Sequence, residues 1–262
     1  MFPRTILWTA LIALLFIEQR SFAADPTTVK VGAYDFPPFF EIESQGQPGG
    51  VTPSLLSALN KFQTQYRFEL VQTTPKGRYQ DFEAGRFDMI FFENPDWGWT
   101  ARKLPIEASE EFLKGGEVYI AKAKPGRNQE FFQGLSGLKI AGILGYHYGY
   151  AGMKDDPVFL RQQKNMILVH TADEIIGLVL NGTADAGIVT LGYLQRHIHR
   201  IPDLKNQLLV SKRFDQIDSY RVITRQGSSP DAEAMSALMN NIHKTEVLHE
   251  VLREHGLKIN SD

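Results

Sequence analysis

Tyr34-Asp35-Phe36-Pro37-Pro38-Phe39-Phe40 follows directly on Val29-Lys30-Val31-Gly32-Ala33. The second stretch reads as a short strand, and the first as the loop at its C-terminal end. Two adjacent prolines restrict the backbone among the aromatic rings. Such a loop has two readings. It is a rigid, flat platform for a ligand at the end of a strand, or a turn that packs into the core.

Upstream of that strand lies a different kind of sequence. Arg4 gives a thin positive start, Ile6 to Ile17 is apolar, and Ser21-Phe22-Ala23 has the small-x-small pattern of a cleavage site. Residues 1–23 therefore read as a secretion signal, with the mature chain beginning at Ala24. The apolar run is short for a bilayer span, and no second run of ~20 apolar residues follows. The 262 residues contain no cysteine, which excludes disulfides, thiol chemistry and a cysteine-borne lipid anchor. A hydrophobic core must hold the protein together, and the length is ample for one large domain or two small ones. The formal net charge is −2, and loss of Arg4, Glu18 and Arg20 with the signal makes it −3. No long basic run appears, so nucleic acid is not an expected partner. The densest local basicity, Arg196-His197-Ile198-His199-Arg200, reads as a solvated helix end. His197 and His199 are two apart and share no helical face, which argues against a zinc site. No metal and no cofactor are expected.

Downstream, short β-rich runs alternate with helical patterns, which implies α/β with largely parallel sheets. Pro53 to Phe62 has the spacing of an amphipathic helix, and Tyr66 to Val71 that of an alternating strand. Arg78 to Ala84 is a short helix ended by Gly85, and Phe87 to Phe92 a buried strand. Gly116 to Lys122 and Leu138 to Ile143 are further strands. Gly145 to Tyr150 is a loop, and Thr171-Ala172-Asp173-Glu174 is a capping box that opens a helix. Ala184 to Val189 and Ser219 to Thr224 are strands, and Ala232 to Glu254 is largely helical. One pattern occurs twice: Gly85-Arg86-Phe87-Asp88-Met89-Ile90 and Gly182-Thr183-Ala184-Asp185-Ala186-Gly187-Ile188. Each is the end of a helix followed by Asp and an apolar strand. The echo implies two similar units.

Phe36-Pro37-Pro38-Phe39, Gly50-Val51 before a helix, Gly85-Arg86-Phe87-Asp88, Gly137-Leu138-Lys139-Ile140-Ala141 and Tyr220 to Arg225 stand in a specific order. In that order the chain resembles the family-3 periplasmic solute-binding proteins, the amino-acid type of ABC-transport receptor. The resemblance covers nearly the whole mature chain. It implies an α/β, two-lobed type II periplasmic binding fold, each lobe a mostly parallel sheet flanked by helices, joined by two hinge strands. Lobe 1 would be residues 24–118 and 218–262, and lobe 2 residues 119–217. The hinge strands would lie near Val118 to Lys122 and Tyr220 to Thr224. The implied protein is a periplasmic, monomeric receptor without a lipid anchor. It closes on a small solute and works with a membrane permease or a membrane sensor.

Carried over residue by residue, the family pattern both fits and fails. Phe36 takes the place of the aromatic on which the ligand stacks. Thr100 stands where the family has its carboxylate-clamping Arg, and Arg102 is two residues beyond. Thr190 stands where the family has its amine-binding Asp, and Thr cannot neutralise an ammonium. The hydroxyl-bearing loop of lobe 2 becomes Tyr146 and His147. Glu93, Asn94 and Trp97 follow the first-lobe strand, and Arg78 opens the helix beside the site. An aromatic-and-acid cleft of this kind suits a cation such as an amine or polyamine. The expected ligand is an amino-acid derivative, an amine or a small carboxylate rather than a plain amino acid. Because Trp97 and Trp99 flank Gly98, only one of them is expected in the cleft. Binding without catalysis is the expected activity. A dehydratase-like enzyme using Glu93, Asp96 and His147, and an adaptor without a ligand, are the alternatives.

Overall fold

The computed structural model describes residues 25–43 and 46–257. The signal segment lies outside these residues. In chain order the elements are β1 Thr27–Ala33, β2 Glu41–Ile42, β3 Pro48–Gly49, α1 Val51–Phe62, β4 Tyr66–Gln72, α2 Arg78–Glu83, β5 Met89–Glu93, β6 Ile106–Ala108 and β7 Leu113–Lys122. There follow β8 Ile140–Ile143, α3 Pro157–Gln163, β9 Met166–Val169, α4 Ala172–Asn181, β10 Ala186–Thr190, α5 Leu191–Arg200, α6 Leu204–Gln207, β11 Leu208–Arg225, α7 Ala232–Lys244 and α8 Val247–Glu254.

The strands run in the order β4-β1-β5-β11-β7-β10-β8-β9, with β6 beside β11. The outer pairs are parallel: β1 with β4 and β5 at one end, β8 with β9 and β10 at the other. The two central strands are antiparallel to each other and to their neighbours. β11 belongs to both ends: Arg221 to Thr224 pair with β5, and Leu208 to Tyr220 pair with β7. Glu117 to Ile120 of β7 lie against Thr190 to Gly187 of β10. The stretch that carries the chain from one half to the other is therefore Lys114–Gly116 beside Ile217–Ser219, a correction to the hinge expected near Val118 to Lys122 and Tyr220 to Thr224, which lie inside the halves because they pair with β10 and β5.

The repeated Gly…Asp pattern has one structural job performed twice. Asp88 accepts from the Lys30 backbone N–H at 2.8 Å, and Asp185 from the Lys139 N–H at 2.9 Å. Each Asp also returns its own N–H to the same residue's carbonyl. Each carboxylate thus ties the start of its strand to a parallel neighbour. Thr171 and Glu174 form the capping box of α4, and Gly182 ends it in the left-handed conformation. The C-terminal helical stretch is two helices. Glu246 adopts φ 63°, and the turn lets α8 bury Leu248, Val251 and Leu252.

The aromatic loop is pinned from both sides. Phe36 N–H donates to Phe40 O at 2.9 Å, and the first N–H groups of α1, from Val51 and Thr52, donate to Pro38 O and Phe39 O. The loop thereby satisfies donors that a helix start leaves open. Gly50 makes this approach possible: its φ is 91°, and a Cβ there would lie 2.7 Å from Pro38 O.

Candidate functional site

β1 and β5 deliver their C-terminal residues to the same edge of the sheet, and so does β8 from the other half. Phe36 and Trp97 come from the loops after β1 and β5, and Tyr146 and His147 from the loop after β8. Together with Tyr34, Glu117 of β7 and Gln216 of β11, they line one small cavity. The space is about 10 Å³, room for one water-sized molecule. The rings interlock: Phe36 meets Trp97 edge-on at 5.6 Å and Tyr146 at 5.5 Å. Tyr146 Oη donates to Asp35 O at 2.7 Å, and Trp97 Nε1 donates to Gln216 Oε1 at 3.2 Å.

Behind the rings lies a buried ion pair. Arg78 Nε stands 3.3 Å from Glu93 Oε1, with both side chains almost wholly inaccessible. Neither atom has a hydrogen-bond partner among the described residues, so the contact is a charge pair. Glu93 Oε2 accepts from Trp99 Nε1 at 2.6 Å, which holds that Trp in the core. Burial pushes the Glu93 carboxyl up and Arg78 pulls it back. Burial works against the Arg78 charge, but Glu93 and Tyr34 outweigh it and raise its pKa. The Arg78 guanidinium also covers the Tyr34 and Tyr79 rings at 4.7 and 4.3 Å. Its Nη1 donates across to Gly145 O at 3.2 Å.

His147 is 4% exposed, and its Nδ1 has no partner among the described residues. Burial, helped by Arg78 and Arg102, lowers its pKa to about 3, so the ring is neutral at pH 7.

The other residues singled out in the sequence lie elsewhere. Asn94 closes its own turn, with Oδ1 accepting from Asp96 N–H at 3.0 Å. Arg102 binds Asp155 at 2.6 Å and covers the Tyr79 ring, on an outer groove. Thr190 ends β10 opposite Glu117 and faces a separate groove of about 500 Å³, whose lining includes Phe39, Ile217, Tyr220 and Leu257. Asp96 is exposed. The solvated helix end expected at 196–200 needs correction at Arg196, while His199 and Arg200 are exposed as expected. Arg196 is buried and forks onto Glu41, with both N–O distances 2.7 Å. Its position on the inner face of α5 takes it across the cleft.

Tyr34, Glu117 and Gln216 were not picked out from the sequence. Glu117 carried a signal: it is a lone carboxylate in the otherwise apolar strand Val118-Tyr119-Ile120-Ala121 that follows it.

No family model matches the chain, and no curated protein does. Solved structures do match. One is the substrate-binding protein of an ABC uptake transporter from Streptococcus pneumoniae with bound histidine, at 15% identity over 90% of this chain and 95% of that one, TM-score 0.71. The chain has the two-lobed fold of the periplasmic binding proteins. A histidine kinase sensor domain with similarity to such proteins aligns over 90% of this chain and 98% of its own, at 19% identity and TM-score 0.66. An ancestral amino-acid-binding protein, described as a precursor of cyclohexadienyl dehydratase, aligns over 87% and 94%, at 18% identity and TM-score 0.64. In the terms of this fold, β7 and β11 are the connecting strands and the cavity lies between the lobes. Arg102–Asp155, Arg196–Glu41, Arg78–Gly145 and Tyr146–Asp35 are contacts that join the two halves of the sheet's topology. Among the described residues no helix is long and apolar enough to cross a membrane.

Proposed function

We propose that this chain is a periplasmic, non-enzymatic receptor that traps a small polar or cationic solute between its lobes for an ABC transporter. One observation carries the reading. Side chains from lobe 1 (Phe36, Trp97), from lobe 2 (Tyr146, His147) and from the connecting strands (Glu117, Gln216) converge on one small cavity. Convergent polar groups within an aromatic wall, at a domain interface, are what a small-molecule site requires. The lobes divide between Gly115 and Val118 on one strand and between Gln216 and Ser219 on the other. A solute larger than water enters the open cleft and turns the Trp97 and Tyr146 rings aside as the lobes close. Arg78 and Glu93 hold the neighbouring Tyr34, Tyr79 and Trp99 rings in place. The dehydratase alternative is weaker, because Glu93 is engaged by Arg78 and Trp99 while Asp96 is exposed. A sensing role beside a membrane signalling protein is the second reading, favoured by the likeness to a kinase sensor domain.

The test is a thermal-shift screen of the monomeric mature chain, paired with small-angle scattering. The panel holds amino acids, amines, quaternary ammonium compounds, small carboxylates and sugars. A ligand at ~100 times its Kd adds about 2.7 kcal/mol of stability if it binds only the folded state. The receptor reading expects one chemical class to raise Tm and change the radius of gyration. A panel with no effect on either quantity refutes it.

A further inference from the structure

The charges around the cavity do not cancel. Arg78 is answered by Glu93, and Arg102 by Asp155. His147 is neutral. What remains is Glu117 on one connecting strand and, on the other, Asp218 and Asp215, the last held by the Tyr119 hydroxyl and the Gly149 and Tyr150 N–H groups. Register places Glu117 opposite Gln216 and Asp218 opposite Gly115, so the two carboxylates are diagonal neighbours on one face. Both are buried, and neither has an ion pair among the described residues. Glu117 accepts from Gln216 Nε2 at 2.7 Å. Asp218 accepts from Tyr220 Oη at 3.1 Å, and its Oδ1 has no partner. Two buried carboxylates without a cation are costly to keep.

The cavity supplies the complement. Beside the Gln216 amide and the Tyr34 and Tyr146 hydroxyls, whose bonds lie within the protein where they are made, it offers two acceptors: the Glu117 carboxylate and the His147 ring. His147 Nε2 lies 3.8 Å from Asp155. A proton on that nitrogen leaves Nδ1, which is unpartnered and 4% exposed in its residue, as an acceptor. The rings of Phe36, Trp97 and Tyr146 present π-systems on the remaining sides. An –NH₃⁺ group carries three donors, no acceptor, and the volume of a water molecule, which matches the space of about 10 Å³.

We propose that Glu117, backed by Asp218, seats a primary ammonium group, so that the trapped solute is an organic amine anchored on the connecting strands. The inference rests on the receptor reading and adds its ligand class. A quaternary ammonium has no N–H to give and exceeds the seat. Placing the anchor on the strands that join the lobes lets ligand binding report directly to the hinge. The groups facing Glu117 are Asp215, Asp218 and Tyr220 of β11, with Tyr146, His147 and Tyr148 of the lobe 2 loop. None is a cation. Burial, with Asp218 and Asp215 adding to it, holds the Glu117 carboxyl well above its ordinary range. An ammonium that ionises it therefore releases a proton, and binding tightens as pH rises.

The experiment is calorimetric titration of the mature chain with 1,4-diaminobutane at pH 7, in phosphate and in MOPS, neither of which is a primary amine, with choline as control. The expected result is diamine binding whose heat differs between the buffers by a released proton. Choline binds at least about tenfold more weakly. Glu117→Gln lowers diamine affinity at least about tenfold and abolishes the buffer dependence. Glu117→Asp, which keeps the charge, retains binding and serves if the Gln variant does not fold. Unchanged diamine affinity in folded Glu117→Gln overturns the proposal. So does a wild-type chain that ignores the diamine but is stabilised by a neutral, anionic or quaternary ligand from the wider panel, a result that leaves the receptor reading standing. A chain that responds to nothing in that panel overturns both.

Discussion

Glu93→Gln removes one charge from the buried pair and changes almost nothing else. Gln has the same shape, and its carbonyl can still accept from Trp99 Nε1. Arg78 then keeps its charge in a site that admits almost no solvent. At 3.3 Å and an effective dielectric of ~20, the lost attraction is about 5 kcal/mol. Removal of one partner of a buried pair typically costs about 3–5 kcal/mol, because the other charge is stranded. A domain holds about 5–15 kcal/mol in all, so the variant folds with a much reduced margin. Arg78→Met alone strands Glu93 instead and also loses the Gly145 bond. The double variant Arg78→Met/Glu93→Gln strands no charge and recovers most of the loss. Urea unfolding at pH 7 on the four proteins closes the cycle. The reasoning expects the double variant to be at least about 2 kcal/mol more stable than the two single costs would sum to. Simple additivity, within about 0.5 kcal/mol, refutes it.

Three further outcomes follow from particular residues. Burial, opposed by Tyr220 and assisted by Asp215, raises the Asp218 pKa to about 7, above its unfolded value. The unfolded chain then gives up this proton first, so stability falls as pH rises from 4 to 7 and levels off above. Asp218→Asn flattens that slope and adds up to about 4 kcal/mol at pH 8, measured by urea unfolding across pH; a slope identical to wild type sinks the account. Arg196→Ala removes the forked contact to Glu41, and a closure weakened by about 1–3 kcal/mol appears in scattering as a larger, salt-insensitive radius. An unchanged radius would mean that the pair does not hold the lobes. Gly50→Ala forces a Cβ to within 2.7 Å of Pro38 O at φ 91° and should cost at least about 1–2 kcal/mol in thermal unfolding. A Tm equal to wild type would show that the loop yields.

Much of the architecture was legible because it is written in local pattern. Alternation marked the strands, the Thr171–Glu174 capping box marked α4, and the doubled Gly…Asp signature marked two similar units. Each depends on neighbours in sequence, where backbone hydrogen bonding and side-chain period are set. Even the Pro-rich aromatic loop declared its rigidity, though its partner, the start of α1, depended on Gly50. Pairing across distance was another matter. Nothing local says that Arg78 meets Glu93, that Arg196 crosses to Glu41, or that Arg102 is taken by Asp155. A charge run on a helix reads as solvated until a second element is known to cover it. Glu117 and Asp218 lie about a hundred positions apart, on strands whose register alone makes them neighbours. The sequence by itself determined most of the long elements, their order and the aromatic character of the loops, while short strands such as β6 and β9 and the long β11 emerged only in the structure. Only the tertiary structure decided which charges are answered and which are left facing the cavity, because that depends on desolvation and on partners brought together by the fold.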